Sequence, residues 1–417
     1  MGEQAFVVGI QPSRTAILLR KFKLQYDPIL LGTVILILIF GLLMVFSAGP
    51  KYARTIMGEN PDFFLWAQAR WIGVGIVAAA AASFMPYQWF RRLSVAMIGF
   101  TLLLLILVPV IGTVSLGASR SLLSGSIRPS ELAKLVIVIY MAVWLFAKQD
   151  VLNQWSLGLV PLFIIAGVIS GLIFIQPDFS AAVTVVVLAG LMFYLAGGDY
   201  RKVLFVVFVV VAISALVVMI YPNGQQRIMD YIKGIQDPLK ASEHVRYSLS
   251  ALINGGLFGV GLGRGSAKFG GLPVAVTDSI FAVIAEEFGL IGSLLLIIGY
   301  LVILWRGILI ARNAPDFLGS LLAGGISVWI VLEAFLNISV MVNLLPQAGN
   351  ALPFISYGGS SMVVNLVGIG ILMNIFRQGQ IKQNQNGRSF SAVVNLRGRD
   401  RRRSVPRPIR PANIEPS

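Results

Sequence analysis

Residues Leu272 to Gly289 read LPVAVTDSIFAVIAEEFG, and the apolar run they open continues to Ile310. Three carboxylates, Asp278, Glu286 and Glu287, stand in or beside a segment otherwise apolar enough for a lipid bilayer. Carboxylates in that setting are costly and tend to be functional. The rest of the chain fits the same reading. Of 417 residues, 57% are hydrophobic and 12% charged, and the mean hydropathy is +0.83. That is the composition of a polytopic membrane protein, not of two or three soluble domains. The chain has no cysteine, so thiol catalysis and disulfide-braced outer loops are excluded.

Working outward from this stretch, runs able to cross a bilayer fall near 29–48, 65–84, 93–110, 132–146, 157–175, 179–195, 203–220, 280–310, 318–345 and 362–376. The expected fold is therefore an all-α polytopic membrane protein of about ten transmembrane helices. The basic segment 1–28 is read as cytoplasmic, and 29–48 is long enough to be an uncleaved first helix rather than a signal peptide. Short loops place Arg91, Arg92, Lys148, Arg201, Lys202, Arg306 and Arg312 on the side of the N-terminus. The opposite loops carry only Lys51, Arg54, Arg120 and Arg128. By the positive-inside rule both termini are cytoplasmic, and the long interval 221–276 is a large extracytoplasmic loop. Beyond the transmembrane domain, 377–417 holds ten Lys/Arg against Asp400 and Glu415. It reads as a disordered basic tail, suited to anionic lipids or a cytoplasmic partner, with topogenic and solubilising charge as the plainer role. Nothing suggests nucleic-acid binding.

Four further stretches combine chemistry with spacing. In Arg128-Pro-Ser-Glu-Leu-Ala-Lys134 a proline and a serine open a helix, and Glu131 and Lys134 stand three apart on one face. A local ion pair is the simplest use of them. Gln176-Pro-Asp-Phe179 is a turn in which Asp178 can cap the following helix. The outer interval holds the single histidine, His244, with Arg246, the glycine-rich 255–263 and Lys268. Glycines let a backbone approach a bulky ligand, and Arg and Lys suit a phosphate-bearing one. A flexible loop with solvated charges accounts for them equally. No strand precedes the glycines, so a dinucleotide fingerprint is rejected. Leu352 to Ser361, LPFISYGGSS, leads into the last helix with residues small enough for close packing.

In order and spacing, PSELAK (129–134), QPDF (176–179), GGLFGVGLG (255–263), TDSIFAVIAEEFG (277–289) and LPFISYGGSS (352–361) resemble the shape, elongation, division and sporulation (SEDS) family of bacterial envelope proteins. The resemblance spans about Ile29 to Phe376. It implies a ten-helix plasma-membrane glycosyltransferase that polymerises lipid II into peptidoglycan strands with a class B penicillin-binding transpeptidase. The family's essential acid maps onto Asp278, its SELAK pair onto Glu131 and Lys134, and its QPD acid onto Asp178. Arg246, Lys268, Ser356 and Tyr357 are carried as substrate-binding or supporting residues. Departures stand at Arg128, where the family often has Gln, at Val276, where it often has His, and at 117–121, which lacks the family's tryptophan. No role is carried to those positions.

The implied reaction is attack of a sugar 4-hydroxyl on the anomeric carbon of the donor, with inversion and loss of undecaprenyl pyrophosphate. Asp278 is the expected base, and Lys134, Arg246, Arg264 and Lys268, in that order, are the expected cations for pyrophosphate. No cofactor is required, although a divalent cation (Mg or Mn) between carboxylate and pyrophosphate is compatible with the chemistry. The tail and the run 337–346 favour a septal, division-type member, with divisome partners, over an elongation-type one. A lipid II flippase is the rival from another class. Glu286 and Glu287 are read as lying two turns or more into the membrane, holding their helix through buried hydrogen bonds.

Overall fold

The computed structural model describes residues 26–111, 113–115, 118–121, 128–154, 159–209, 222–270, 272 and 275–400. Along the chain run α1 (Pro28–Tyr52), α2 (Phe63–Phe84), α3 (Gln88–Ile111), a small antiparallel hairpin of β1 (Thr113–Ser115) and β2 (Ala118–Ser121), then α4 (Pro129–Ala147), α5 (Val160–Ile175) and α6 (Phe179–Leu195). A helical segment α7 is described over 200–209. There follow α8 (Pro222–Gln236), α9 (Glu243–Gly255), a one-turn helix Ala267–Gly270, α10 (Ile280–Arg312), α11 (Phe317–Met341) and α12 (Gly359–Asp400).

Among the described residues seven helices, α1 to α4 and α10 to α12, are long and apolar enough to cross a membrane, and α5 and α6 are shorter apolar helices. The expected run at 203–220 lies largely outside the described residues, as do the N-terminal segment 1–25 and the end of the tail, 401–417. The interval 221–276 is not an open loop. Its described part is built on α8 and α9, each with its own turn chemistry; Ser242 caps α9, its hydroxyl accepting from Val245 N at 3.5 Å. From 377 onward α12 continues as helix to Asp400. Polar side chains extend it past the apolar run. Asn374 Nδ2 donates to Ser83 O (2.6 Å) and its Oδ1 accepts from Tyr87 N (3.2 Å) and Gln378 Nε2 (2.8 Å). Lys382 Nζ reaches Pro315 O.

The centre of the bundle is α4, α6, α11 and α12, with α10 packed between α11 and α1 and α12 lying along α2. Close approach depends on small residues: a side chain at Gly370 would collide with the backbone of Ala79 on α2. α1 and α10 are joined at both ends. At one end the Asp27 carboxylate, which also caps α1 through Ile29 N and Leu30 N (3.1 and 3.0 Å), is paired with Arg306. At the other, Ser47 donates to Glu287 at 2.7 Å. Twenty residues of helix separate Asp27 from Ser47, about 30 Å, which is the thickness of the hydrocarbon core.

This spacing revises the depth of the paired glutamates. Gly289 breaks α10, with φ 68 and ψ −165. Residues 290–312 are alone about 34 Å long, enough to span the bilayer, so Glu286 and Glu287 sit in a separate half-helix beyond that spanning length. The break is stabilised from outside the helix. Val260 N and Gly261 N donate to the carbonyls of Glu286 and Glu287 (3.0 Å each), while Leu290 N and Ile291 N donate to those of Gly256 and Leu257 (2.9 and 3.2 Å). The glycine-rich loop thus takes the place of the missing helical partners. Gly259 has φ 80, and any side chain there or at Gly289 would collide with the opposing backbone. Gly289→Ala is expected to destabilise the protein by about 1–3 kcal/mol, read as a lowered melting temperature in detergent, because the left-handed conformation and the close approach both exclude a Cβ.

Candidate active site

Asp278 is half-buried in the turn that precedes α10. The turn is held carbonyl by carbonyl. Val276 O accepts from Tyr357 N at 3.0 Å, Thr277 O from Ser356 Oγ at 2.7 Å, and Asp278 O from Asn337 Nδ2 at 2.9 Å. Next in the chain, the Ser279 hydroxyl meets His244 Nε2 of α9. Ser279, not Asp278, occupies the N-cap position of α10, and its side chain makes no capping hydrogen bond.

The segment 352–361 reaches this turn through an unusual backbone. Phe354 has φ 64, a conformation that costs a bulky residue and persists where its surroundings over-determine it. Tyr300 OH donates to the neighbouring Pro353 O at 2.6 Å, and Phe354 itself is buried. Ser356 is likewise buried, its hydroxyl also accepting from Leu352 N at 2.7 Å, so it pins the turn. The half-buried Tyr357 ring stands edge-on to Phe64 at 4.9 Å. Burial raises its phenol pKa, and nearby Arg70 of α2 opposes that rise. Arg70 is exposed.

PSELAK, QPDF and LPFISYGGSS meet in space. Ser130 Oγ donates to Asp178 Oδ2 at 3.1 Å, and Arg128 N donates to Ser360 Oγ at 3.1 Å. Asp178 caps α6 through Ala181 N at 3.3 Å. Lys134 pairs with Glu131 at 2.9 Å, as the spacing suggests, but also with Glu333 of α11. All three are buried. Glu333 is one helical turn from Asn337, so α11 links the charged triad to the Asp278 turn. Sequence reasoning missed Glu333 although its signal was present, a carboxylate inside the apolar run 317–341.

The expected pyrophosphate cations differ in their surroundings. Lys268 is buried, its ammonium 2.6 Å from Glu287 Oε1 and 2.8 Å from Ser47 Oγ. Glu286 accepts from Ser266 N, Ser266 Oγ and Ala267 N at 2.9, 2.8 and 2.9 Å. The two glutamates therefore hold the half-helix to residues 266–268 and α1. Lys134 and Lys268 are committed to buried carboxylates, whereas Arg264 is exposed, and the half-buried Arg246 lies 3.9 Å from the exposed Glu243 and over the Tyr247 ring at 5.7 Å. Among the described residues, no three His, Cys, Asp or Glu side chains converge on a possible metal position, so a divalent cation finds no all-protein cage there.

His244 is buried, and its pKa is lowered to about 4 by burial and then by the charge of Arg227. The folded value lies below the ordinary 6.5 of an unfolded chain. The contribution is therefore complete above pH 6.5 and is lost as pH falls toward 4, by roughly 3 kcal/mol. Melting at pH 7.5 and 4.5 should show this acid limb, and His244→Gln should flatten it.

Comparison with known proteins supplies the family. A model of the cell cycle protein family of FtsW, RodA and SpoVE matches residues 28–381. The chain belongs to this family. It is the SEDS family that its motifs resemble. Among family members, a probable peptidoglycan glycosyltransferase FtsW of Geobacter sp. (strain M18) is 37% identical over 354 residues, covering 84% of this chain and 96% of that protein. Stage V sporulation protein E of Bacillus subtilis (strain 168) is 36% identical over 361 residues, covering 85% and 98%. A solved SEDS structure, from work on the coordination of polymerization and crosslinking by a peptidoglycan synthase complex, matches with a TM-score of 0.71 at 26% identity, covering 85% of this chain and 99% of that one. The rod shape determining protein RodA of Thermus thermophilus shares the fold at a TM-score of 0.63 and 24% identity, covering 85% and 98%. The protein is thus a multi-pass membrane protein of a bacterial SEDS family.

Proposed function

We propose that this SEDS protein is a septal peptidoglycan glycosyltransferase that polymerises lipid II at the outer face of the plasma membrane, with a class B penicillin-binding transpeptidase as partner. The observation that carries the reading is the Asp278 turn: a half-buried carboxylate at the outer end of α10, fixed by contacts from α9, α11 and 352–361. Relatives that share the family are named peptidoglycan glycosyltransferases. On the reading of ten helices with both termini cytoplasmic, this turn lies on the side where lipid-linked disaccharide is used.

In the reaction, Asp278 takes the proton of the acceptor 4-hydroxyl as that oxygen attacks the anomeric carbon. The new glycosidic bond forms as the bond to pyrophosphate breaks, with inversion. Exposed Arg70 and Arg264, with the half-buried Arg246, are the cations that would stabilise charge on the departing pyrophosphate. Fixing the carboxylate's backbone in advance contributes through orientation. The flippase reading has less support, because Glu131 and Lys134 are locked with Glu333 in a buried triad, and Glu286 and Glu287 are held by Ser266, Ala267 and Lys268. Supplying lipid II in detergent to the purified protein with its partner separates the two. Polymer is expected, and no polymer in detergent alongside lipid II movement in vesicles would favour transport.

A further inference from the structure

We infer that His244 is a positioning residue for Asp278, holding the catalytic turn through Ser279. The inference rests on the reading of Asp278 as the base. His244 is the only histidine in 417 residues, and it stands in the first turn of α9, just after the Ser242 cap. Its Nε2 meets the hydroxyl of Ser279, which is fully buried and adjacent to Asp278. The carbonyls of residues 276, 277 and 278 are held by 356–357 and Asn337. His244 supplies the hold on residue 279 from the opposite element, α9. The backbone that carries the ring is anchored in turn: Ser248 Oγ donates to the His244 carbonyl at 2.8 Å and touches Met341 Sδ at 3.4 Å, joining α9 to α11.

The chemistry of the ring fits positioning and not proton transfer. Nδ1 is buried and finds no hydrogen-bond partner among the described residues. A buried donor without a partner is rarer than an under-used acceptor, so the proton belongs on Nε2, which donates to Ser279 Oγ. Arg227 is the charged group that acts on the ring, and it opposes an imidazolium. A neutral ring with one fixed donor cannot compete with Asp278 for the acceptor proton. What it does is keep the residue after Asp278 from turning away.

Because the protein has one histidine, selective 15N labelling gives one imidazole spin system in full-length protein in detergent. The expected spectrum shows Nε2 protonated, Nδ1 bare and no titration between pH 5 and 9. A ring that titrates near pH 6.5, or carries its proton on Nδ1, overturns the inference without reference to activity. In the polymerisation assay with the partner present, His244→Ala should lower kcat about tenfold at unchanged KM, a loss of the size expected when a reacting group is slightly misplaced. His244→Gln, which keeps a side-chain N–H donor, should recover most of the rate. Ser279→Ala should match His244→Ala, and the double variant should be no slower than either. Multiplied effects in the double variant, or a raised KM at unchanged kcat, overturn the inference. Failure of the underlying reading looks different: Asp278→Asn then turns over normally whatever the histidine spectrum shows.

Discussion

Asp278→Asn is expected to lose about 10²–10⁴-fold in polymerisation rate, the contribution of a positioned general base, while its melting temperature and binding of lipid II stay within error of the parent. The amide keeps the shape of the side chain. It also leaves in place the contacts that fix the turn, since those run through the backbone carbonyls of residues 276–278 and through Ser279. A loss of rate at constant KM marks an interaction made in the transition state. A variant that instead binds lipid II weakly at full kcat would make Asp278 a substrate contact.

The second large effect is on stability. Lys134→Met removes the one cation between Glu131 and Glu333, leaving two buried carboxylates facing each other. Removing one partner of a buried pair costs about 3–5 kcal/mol. The expected result is a protein that is poorly recovered or melts far below the parent. Adding Glu131→Gln and Glu333→Gln to Lys134→Met removes the stranded charges and should restore much of the loss. If Lys134→Met melts like the parent, the triad is not the interior cross-link between α4 and α11 described above.

Much of this architecture was legible in the sequence because apolar runs of spanning length and the five family motifs are local signals. What joins them is not. The contact of Ser130 with Asp178, and of Ser356 with Thr277, depends on helices that neighbour each other only in the fold. Glu333 was overlooked inside a run read as uniformly apolar. The break at Gly289 could not be read locally either, because a glycine within an apolar helix is tolerated. Here it becomes a break because Val260 and Gly261 take over the helix carbonyls. That same exchange moves Glu286 and Glu287 out of the spanning length into a half-helix whose partners are residues 266–268 and Ser47. Lys134 and Lys268 looked like ligands for pyrophosphate for the same reason: their carboxylate partners come from elsewhere in the chain or lie beside them in a buried setting.

The central claim is that the Asp278 turn performs glycan polymerisation. It is tested most directly by resolving, on one gel, the products made from labelled lipid II in detergent by the protein and by Asp278→Asn. Each is paired with a partner transpeptidase whose own serine is blocked. The account predicts a ladder of glycan strands from the parent and none above background from the variant. A ladder of equal intensity in both lanes would contradict it.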